Sequence, residues 1–468
     1  LNAVPRPSKK EERVIAFMKD FGNQLGLETF EDDIRNVIIR KPATSGMENR
    51  KPVVLQGHLD MVHQKNADTV FDFDTQGIDM YVDGDWVRAR GTTLGADNGL
   101  GVAAIMAILE SKDIPHPAIE ALFTIDEETG MTGALNLKGG ILQGQILLNL
   151  DTEEDDEIDI GCAGGIDVTA TAEYDEEPTP EGSVGYAITV KGLNGGHSGM
   201  DIHKGLGNAN KIMNRLLFDG FDNFGLQIAS IHGGSLRNAI PRESVAKVII
   251  AEVYDEAFVF DMQQIVNEIK LELKSTEPNL DIVFEKLDTA PAKVMPSIAQ
   301  FYFVRAMYTA HNGVYRMSAD FDNLVETSNN IAKVVLGNGQ LSVQCLTRSS
   351  VESAKMDLAN ALRSAFELMG CEVEFSGSYP GWTPNAKSEI LDVLTSIYEK
   401  QNNEKAKVVA CHAGLECGIL GANYPEMDMI SFGPTIHGAH SPDERASISS
   451  AQKFWKFLVE ILGNIPMK

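Results

Sequence analysis

The sequence predicts an α/β fold whose chain is interrupted by a second domain of a different kind. Up to Asp151, apolar runs of strand length end in a polar residue and a loop, and a helical run follows. The same alternation returns after residue 388. Between the two lies a long stretch of other patterning, entered through an acidic segment with Pro and Gly at 174–182. At 468 residues the chain is also longer than one ordinary domain. The expected division is 1–183 with 376–468 as one domain and 184–375 as the other.

The first strand, 51–55, runs into Gly57-His58-Leu59-Asp60. Residues 100–109 form an apolar helix opened by the loop Gly95-Ala96-Asp97-Asn98-Gly99. A buried strand over 119–125 ends in Asp126-Glu127-Glu128, and another over 145–150 ends in Asp151. Open α/β sheets place their ligands beyond the carboxyl ends of strands, where these polar residues fall. In the middle segment, strands are expected over 185–190 and 243–253, and helices over 208–217, 258–272 and 351–369. A strand and the loop 379–384 follow. The last part reads as helix 388–401, strands 407–410 and 428–432, and a closing helix 449–462.

Composition removes several function classes. With 67 acidic against 40 basic residues the net charge is -27, which repels phosphate backbones and anionic lipid. No nucleic-acid or membrane partner is therefore expected, and no run approaches the ~20 apolar residues of a membrane span. Five scattered cysteines form no paired framework and fit a reducing compartment. No secretory pattern is visible, so a cytoplasmic location is expected. The Gly-x-Ser-x-Gly elbow, a dinucleotide fingerprint and a P-loop are all missing. Cys411, His412 and Cys417 lack the second pair and the spacing of a zinc finger, and read as structural thiols.

Side chains at i and i+2 of an extended segment point the same way, so His58 and Asp60 can share a site. The plainer reading is a histidine satisfied in a turn. Asp97 is either a ligand or a turn and capping aspartate at its glycine-rich helix entry. Asp126, Glu127 and Glu128 are three adjacent carboxylates at a strand end, where repulsion is costly unless a cation relieves it. Asp151 repeats the theme, whereas the run 153–156 reads as a solvated face. In Gly433-Pro434-Thr435-Ile436-His437-Gly438-Ala439-His440, one or both histidines can ligate. Imidazoles and carboxylates at strand ends are the ligand chemistry of zinc or manganese.

The segments Gly57-His58-Leu59-Asp60-Met61-Val62, Gly95-Ala96-Asp97-Asn98-Gly99, Asp126-Glu127-Glu128-Thr129-Gly130, Asn149-Leu150-Asp151 and Ala439-His440-Ser441-Pro442-Asp443-Glu444 occur in this order. So ordered, they resemble the M20 metallopeptidases. Pro5-Arg6-Pro7-Ser8-Lys9-Lys10-Glu11, Arg237-Asn238-Ala239-Ile240-Pro241-Arg242 and His412-Ala413-Gly414-Leu415-Glu416-Cys417-Gly418 are similar to the Xaa-His dipeptidase branch. The resemblance runs nearly end to end. It implies a mixed-sheet, zinc-exopeptidase-like catalytic domain with an inserted α+β lid and dimerisation domain.

It also implies two divalent metal ions per chain, zinc foremost, with cobalt or manganese as substitutes. Asp97 would bridge them, with His58 and Asp151 on one, Glu128 and His440 on the other, and His437 as lining. Asp60 would orient His58. Glu127 would be the general base, taking a proton from a metal-bridging water and passing it to the leaving amine. In Gly195-Gly196-His197-Ser198-Gly199, His197 would stabilise the oxyanion in the neighbouring subunit of a homodimer. Asn238 and Arg348 would hold the substrate carboxylate. Without the resemblance, His197 is a loop residue and Arg348 a surface cation. Small unblocked dipeptides, β-alanyl-histidine among them, are the implied substrates. The rivals are an M20 amidohydrolase removing N-acyl groups and a non-catalytic binding protein of the same fold.

Overall fold

A computed structural model describes residues 1–468 apart from Asp322, Ala386, His412 and Ala413. The chain divides into two compact units: 1–162 with 382–410 and 415–468, and 163–381 with 411–414. These divisions differ from the expected 183/184 and 375/376. The strands Gly164–Glu173 and Glu372–Tyr379 pair with each other, and the former also with Gln340–Ser349, so both belong to the second unit's sheet.

The first unit is built on an eight-stranded mixed sheet. Its order is Glu28–Glu31, Val37–Lys41, Ile119–Thr124, Val53–His58, Ile146–Asn149, Asp428–Ser431, Glu157–Cys162 and Lys407–Cys411. The four from Ile119–Thr124 to Asp428–Ser431 are parallel neighbours, and their flanking partners run antiparallel. Val53–His58, Ile119–Thr124 and Ile146–Asn149 are buried at every position, as expected of strands covered on both faces. The alternation of strand and crossover places their carboxyl ends side by side.

The helix Ala96–Glu110 is buried on most of its circumference and packs on Val53–His58. Its approach is close enough to need glycine. A Cβ on Gly101 would meet the Leu150 carbonyl oxygen at 2.4 Å, and one on Gly57 would meet Asn98 Oδ1 at 2.3 Å. The loop bearing Asp97 is thereby pressed against the strand ends bearing His58 and Asp151. The helices Glu389–Asn402 and Ile448–Gly463 start at serine caps, Ser388 accepting from Leu391 N–H and Ser447 from Ser450 N–H.

The second unit holds a nine-stranded sheet. Its pairings are antiparallel throughout those recorded, from Asp281–Lys286 at one edge to Glu372–Tyr379 at the other. The helices Ala209–Phe224, Asp255–Glu272, Ser297–Thr309 and Glu352–Glu367 contribute Met213, Leu217, Phe258, Val266, Phe303 and Leu362 to one core with the sheet. Asn208 caps the first of them, its side chain accepting from the Asn210 and Lys211 N–H groups. No helix among the described residues is long and apolar enough to cross a membrane.

Candidate metal centre

His58 is the last residue of its strand, and Asp60 follows two positions on; both are fully buried. Asp97 sits at the kinked entry of Ala96–Glu110, where the Asp97–Asn98 peptide is cis. After Ile119–Thr124 the backbone turns through Asp126 in the left-handed region, φ 51°, and delivers Glu127 and Glu128. Asp151 lies just beyond Ile146–Asn149. His440, itself left-handed at φ 64°, follows the short strand Ile436–His437.

These side chains converge on Asp97. Its Oδ1 is 3.1 Å from His58 Nε2, and its Oδ2 is 3.2 Å from His440 Nε2. Asp151 Oδ1 is 3.5 Å from the same nitrogen of His58, and Glu128 Oε2 is 2.9 Å from that of His440. One carboxylate thus serves two triplets, His58–Asp97–Asp151 and Asp97–Glu128–His440, whose ligand atoms lie within 4.8 Å of one another. Glu127 forms a further close group with His58 and Glu128. His437 belongs to none of these groups. It packs on Trp86 at 5.1 Å and stands 3.5 Å from Glu154 Oε1.

The surroundings fix the cluster from several directions. Asp60 Oδ1 lies 3.4 Å from His58 Nδ1 and accepts from Glu127 N–H at 3.0 Å, while Oδ2 accepts from Ser8 Oγ at 2.8 Å. Asn98 Nδ2 donates to Asp151 Oδ1 and to the Leu150 carbonyl. Arg6, fully buried, donates to the carbonyls of Leu59, Asp60 and Gly95 and so ties two ligand-bearing loops together. Glu444 accepts from four consecutive backbone N–H groups, Leu94 to Asp97, at 2.7 to 3.3 Å. A second acidic group, Glu11–Asp60–Asp126, is engaged in hydrogen bonds to Lys9 N–H, Ser8, Thr129 and Thr132.

Two imidazoles and two carboxylates around one shared aspartate fit hard or borderline divalent cations. The electrostatics agree. Burial alone would lower the His58 pKa, but Asp151, Asp60 and Asp97 outweigh it and hold it well above the usual value. Hydrogen bonds to Asp97 and Glu128 push His440 up to about 11. Burial raises Asp151 to about 6 and, with Asp97 and Asp151 nearby, Glu153 to about 8. Burial also raises Glu127 well above an ordinary glutamate. Glu153 is thus half-buried in the field of Asp97 and Asp151, whereas Glu154 of the same run is exposed.

Both imidazoles must lose a proton before their nitrogens can ligate. Zinc binding to chelator-stripped protein at neutral pH is therefore expected to release about two protons, with affinity rising as pH rises. Calorimetric titration in buffers of different ionisation enthalpy checks the count. Zero net release would show that the imidazoles are neutral beforehand.

The other expected site residues lie in the second unit. Gly196–His197 pairs with Ala239–Ile240, and Asn238 accepts from Ser198 N–H at 2.8 Å through its carbonyl oxygen, which brings His197 and Asn238 into one ribbon. His197 Nδ1 accepts from the N–H groups of Gly199 and Met200 at 3.2 and 3.1 Å, so the ring proton resides on Nε2. Burial, helped by the charge of Arg348, lowers its pKa and keeps the ring neutral near pH 7. Arg348 is 5% exposed and donates to the Tyr379 hydroxyl at 2.8 Å, so it is not a surface cation. His412 and Ala413 of the segment 412–418 lie outside the described residues.

A mixed α/β sheet thus gathers histidine and carboxylate at its strand ends, a donor set for divalent cations. Residues 54–464 match the model of peptidase family M20/M25/M40, and the chain belongs to that family of metallopeptidases. It is 43% identical to the cytosol non-specific dipeptidase of Escherichia coli K12 over 100% of this chain and 96% of the relative. It is 44% identical to the crystal structure of aminoacylhistidine dipeptidase from Vibrio alginolyticus, with a TM-score of 0.96, covering 100% of this chain and 95% of that one. The aminopeptidase PepT structure from Bacillus cereus shares the fold, with a TM-score of 0.57 at 16% identity, over 99% of this chain and 95% of that one.

Proposed function

We propose that the protein is a dinuclear zinc dipeptidase acting on unblocked dipeptides, with Xaa-His peptides and β-alanyl-histidine among its substrates. The observation that carries the proposal is the pair of triplets sharing Asp97. Full-length similarity to two dipeptidases supports the substrate class. His58 and Asp151 would hold one cation, Glu128 and His440 the other, and Asp97 both. Bound there, the pair supplies Lewis-acid polarisation of the scissile carbonyl and acidifies the attacking water.

The chain's own groups supply the rest. Asp60 orients His58. Glu127, half-buried and with a raised proton affinity, takes the proton of the attacking water and returns it to the leaving amine. His197, neutral with its proton on Nε2, is a donor for the developing oxyanion. Arg348 and Asn238 hold the free carboxylate of the substrate, and such recognition of termini restricts cleavage to short peptides. The acidic surroundings favour a free amine over an acyl cap. We place His197 in the active site of a second copy within a homodimer, the inserted unit serving as lid and dimerisation domain.

The test strips the protein with chelator and adds back zinc, cobalt or manganese. Hydrolysis of β-alanyl-histidine, Xaa-His and Xaa-Leu dipeptides and an N-acetyl amino acid is then followed. Two metals per chain with cleavage of free dipeptides alone is the expected result. Cleavage of the acyl substrate alone would make it an amidohydrolase, and no metal with no turnover would make it a binding protein. The trans placement is tested by co-expressing Glu127→Gln with His197→Ala. Each variant alone is expected to be nearly inactive, while mixed dimers regain activity at one site. Absence of recovery in purified mixed dimers would show that His197 serves its own chain.

A further inference from the structure

A row of buried polar side chains crosses the first unit's sheet. Thr124, Gln56, Asn149, Ser431 and Asp159 lie on five consecutive strands. Asn149 is the register partner of Gln56 and of Ser431, and Ser431 is the partner of Asp159. Gln56, Thr124, Asn149 and Ser431 are all 0% exposed. At one end, Glu416 Oε2 accepts from Gln56 Nε2 at 2.6 Å and from Thr124 Oγ1 at 2.8 Å. Asn149 Nδ2 donates to Gln56 Oε1, and Ser431 Oγ donates to Asn149 Oδ1. At the other end, Thr152 Oγ1 stands 2.8 Å from both Ser431 Oγ and Asp159 Oδ2.

Counting hydrogens along this row leaves little freedom. The Ser431 hydroxyl proton is committed to Asn149, so Thr152 must donate to Ser431. Thr152 then has no proton for Asp159, and a short contact between two bare oxygens is repulsive. The carboxyl of Asp159 must therefore be the donor. If both amides were turned over, every bond would reverse and the proton would sit on Glu416 instead. In either sense the pair holds one proton.

We propose that Asp159 and Glu416 share a single proton through this chain, with Asp159 the acid and Glu416 the carboxylate. The neighbours decide the sense. Glu416 Oε2 accepts from two donors, and the titratable groups in whose field it lies are His58, Asp60, Glu127, Asp151 and Cys417. Asp159 has Thr152 as its single side-chain hydrogen-bond partner among the described residues and is faced by Glu157 and the thiols of Cys162 and Cys417; burial pushes both carboxyls up to about 7, so the donors set the sense. Both ends are buried, Asp159 at 6% and Glu416 at 1% exposure. Asp159 is thus a positioning residue. Its proton orients the amides of Gln56 and Asn149, and a negative charge is retained at Glu416, behind the strand end bearing His58. That charge adds to the attraction for cations; this last point alone rests on the proposed metal centre.

Infrared spectra of the full-length protein at pH 7, zinc-loaded, give the test. In difference spectra against the wild type, Asp159→Asn is expected to lose a buried carboxylic-acid carbonyl band, shifted in heavy water, that Glu416→Gln keeps. An asparagine amide donates to Thr152 as the acid does, so Asp159→Asn should fold. Its melting temperature should gain on the wild type as pH rises from about 4 to about 7. The sign follows because a carboxyl with a raised folded-state pKa stabilises below its unfolded value, and that stabilisation is lost as pH climbs through the folded one. A band lost in Glu416→Gln instead, or kept in both variants, would overturn the proposal even if one variant could not be made. In zinc titrations, Glu416→Gln should bind several-fold more weakly and Asp159→Asn like the wild type. Equal affinities would remove the electrostatic role and leave the infrared result to decide the proton.

Discussion

Replacing Glu127 by glutamine is expected to lower turnover by roughly 10³-fold or more, about 4 kcal/mol of transition-state stabilisation, while metal content stays that of the wild type. The substitution keeps shape and hydrogen-bonding capacity but removes the group that can carry a proton. Glu127 belongs to neither triplet around Asp97, so the cations should remain. Its backbone N–H donates to Asp60, a contact that glutamine preserves. The loss should therefore fall on kcat and leave KM nearly alone. Steady-state kinetics paired with metal analysis separates the cases. Near-normal turnover would remove Glu127 as the base, and lost metal would make it a ligand.

The second large effect is expected away from the reacting atoms. Glu444→Ala leaves three buried N–H groups, those of Leu94, Gly95 and Ala96, and the part-buried one of Asp97 without their acceptor. An orphaned buried donor costs about 1–3 kcal/mol, and some will be recovered by water. A loss of about 3–5 kcal/mol is thus expected. Because this carboxylate sets the backbone that presents Asp97, the two proposed cations should be held more weakly. Glu444→Gln, with one acceptor oxygen in place of two, should fall between. Denaturant unfolding of the first unit with metal titration checks the order. An alanine variant as stable as the wild type would mean that the loop is shaped by Arg6 and the helix packing instead.

The strands that build the first unit were legible because they are uniform. Residues 53–58, 119–124 and 146–149 are mostly apolar, buried throughout and stopped by polar residues that face a common edge. The same uniformity exposes His58, Glu127, Glu128 and Asp151 as exceptions in apolar surroundings. What could not be read locally was the company each residue keeps. Glu153 sits in an acidic run that any local reading calls solvated, yet it is half-buried, and Asp97 and Asp151 help raise its proton affinity. The partnership of Glu416 with Thr124, or of Glu444 with Leu94, spans hundreds of positions and has no local signal.

In the second unit the long hairpin Val325–Gly337 and Gln340–Ser349 was not anticipated, although Asn338-Gly339 is a strong turn signal. Both turn residues have positive φ, 55° and 76°. The masking feature is the stretch Thr327-Ser328-Asn329-Asn330, polar in sequence yet buried in the sheet, which breaks the alternation that reveals a strand. Asn329 and Asn330 spend their amides on the carbonyls of His311, Arg237 and Ala239, and so resemble loop residues by composition alone.

The position of Asp428–Ser431 bears on how the protein is made. This late strand lies between Ile146–Asn149 and Glu157–Cys162, two strands synthesised early and nearly together. On the ribosome the first unit must therefore wait with an open slot, its apolar edges unpaired, while the whole of 163–381 emerges. The second unit has almost all of its chain by then and can close first. On the proposed ligand set, cation loading waits for a residue beyond this strand as well, since His440 follows it. A truncated nascent chain should accordingly offer a clear substrate for chaperones, and that exposure should end only when the last strand is inserted.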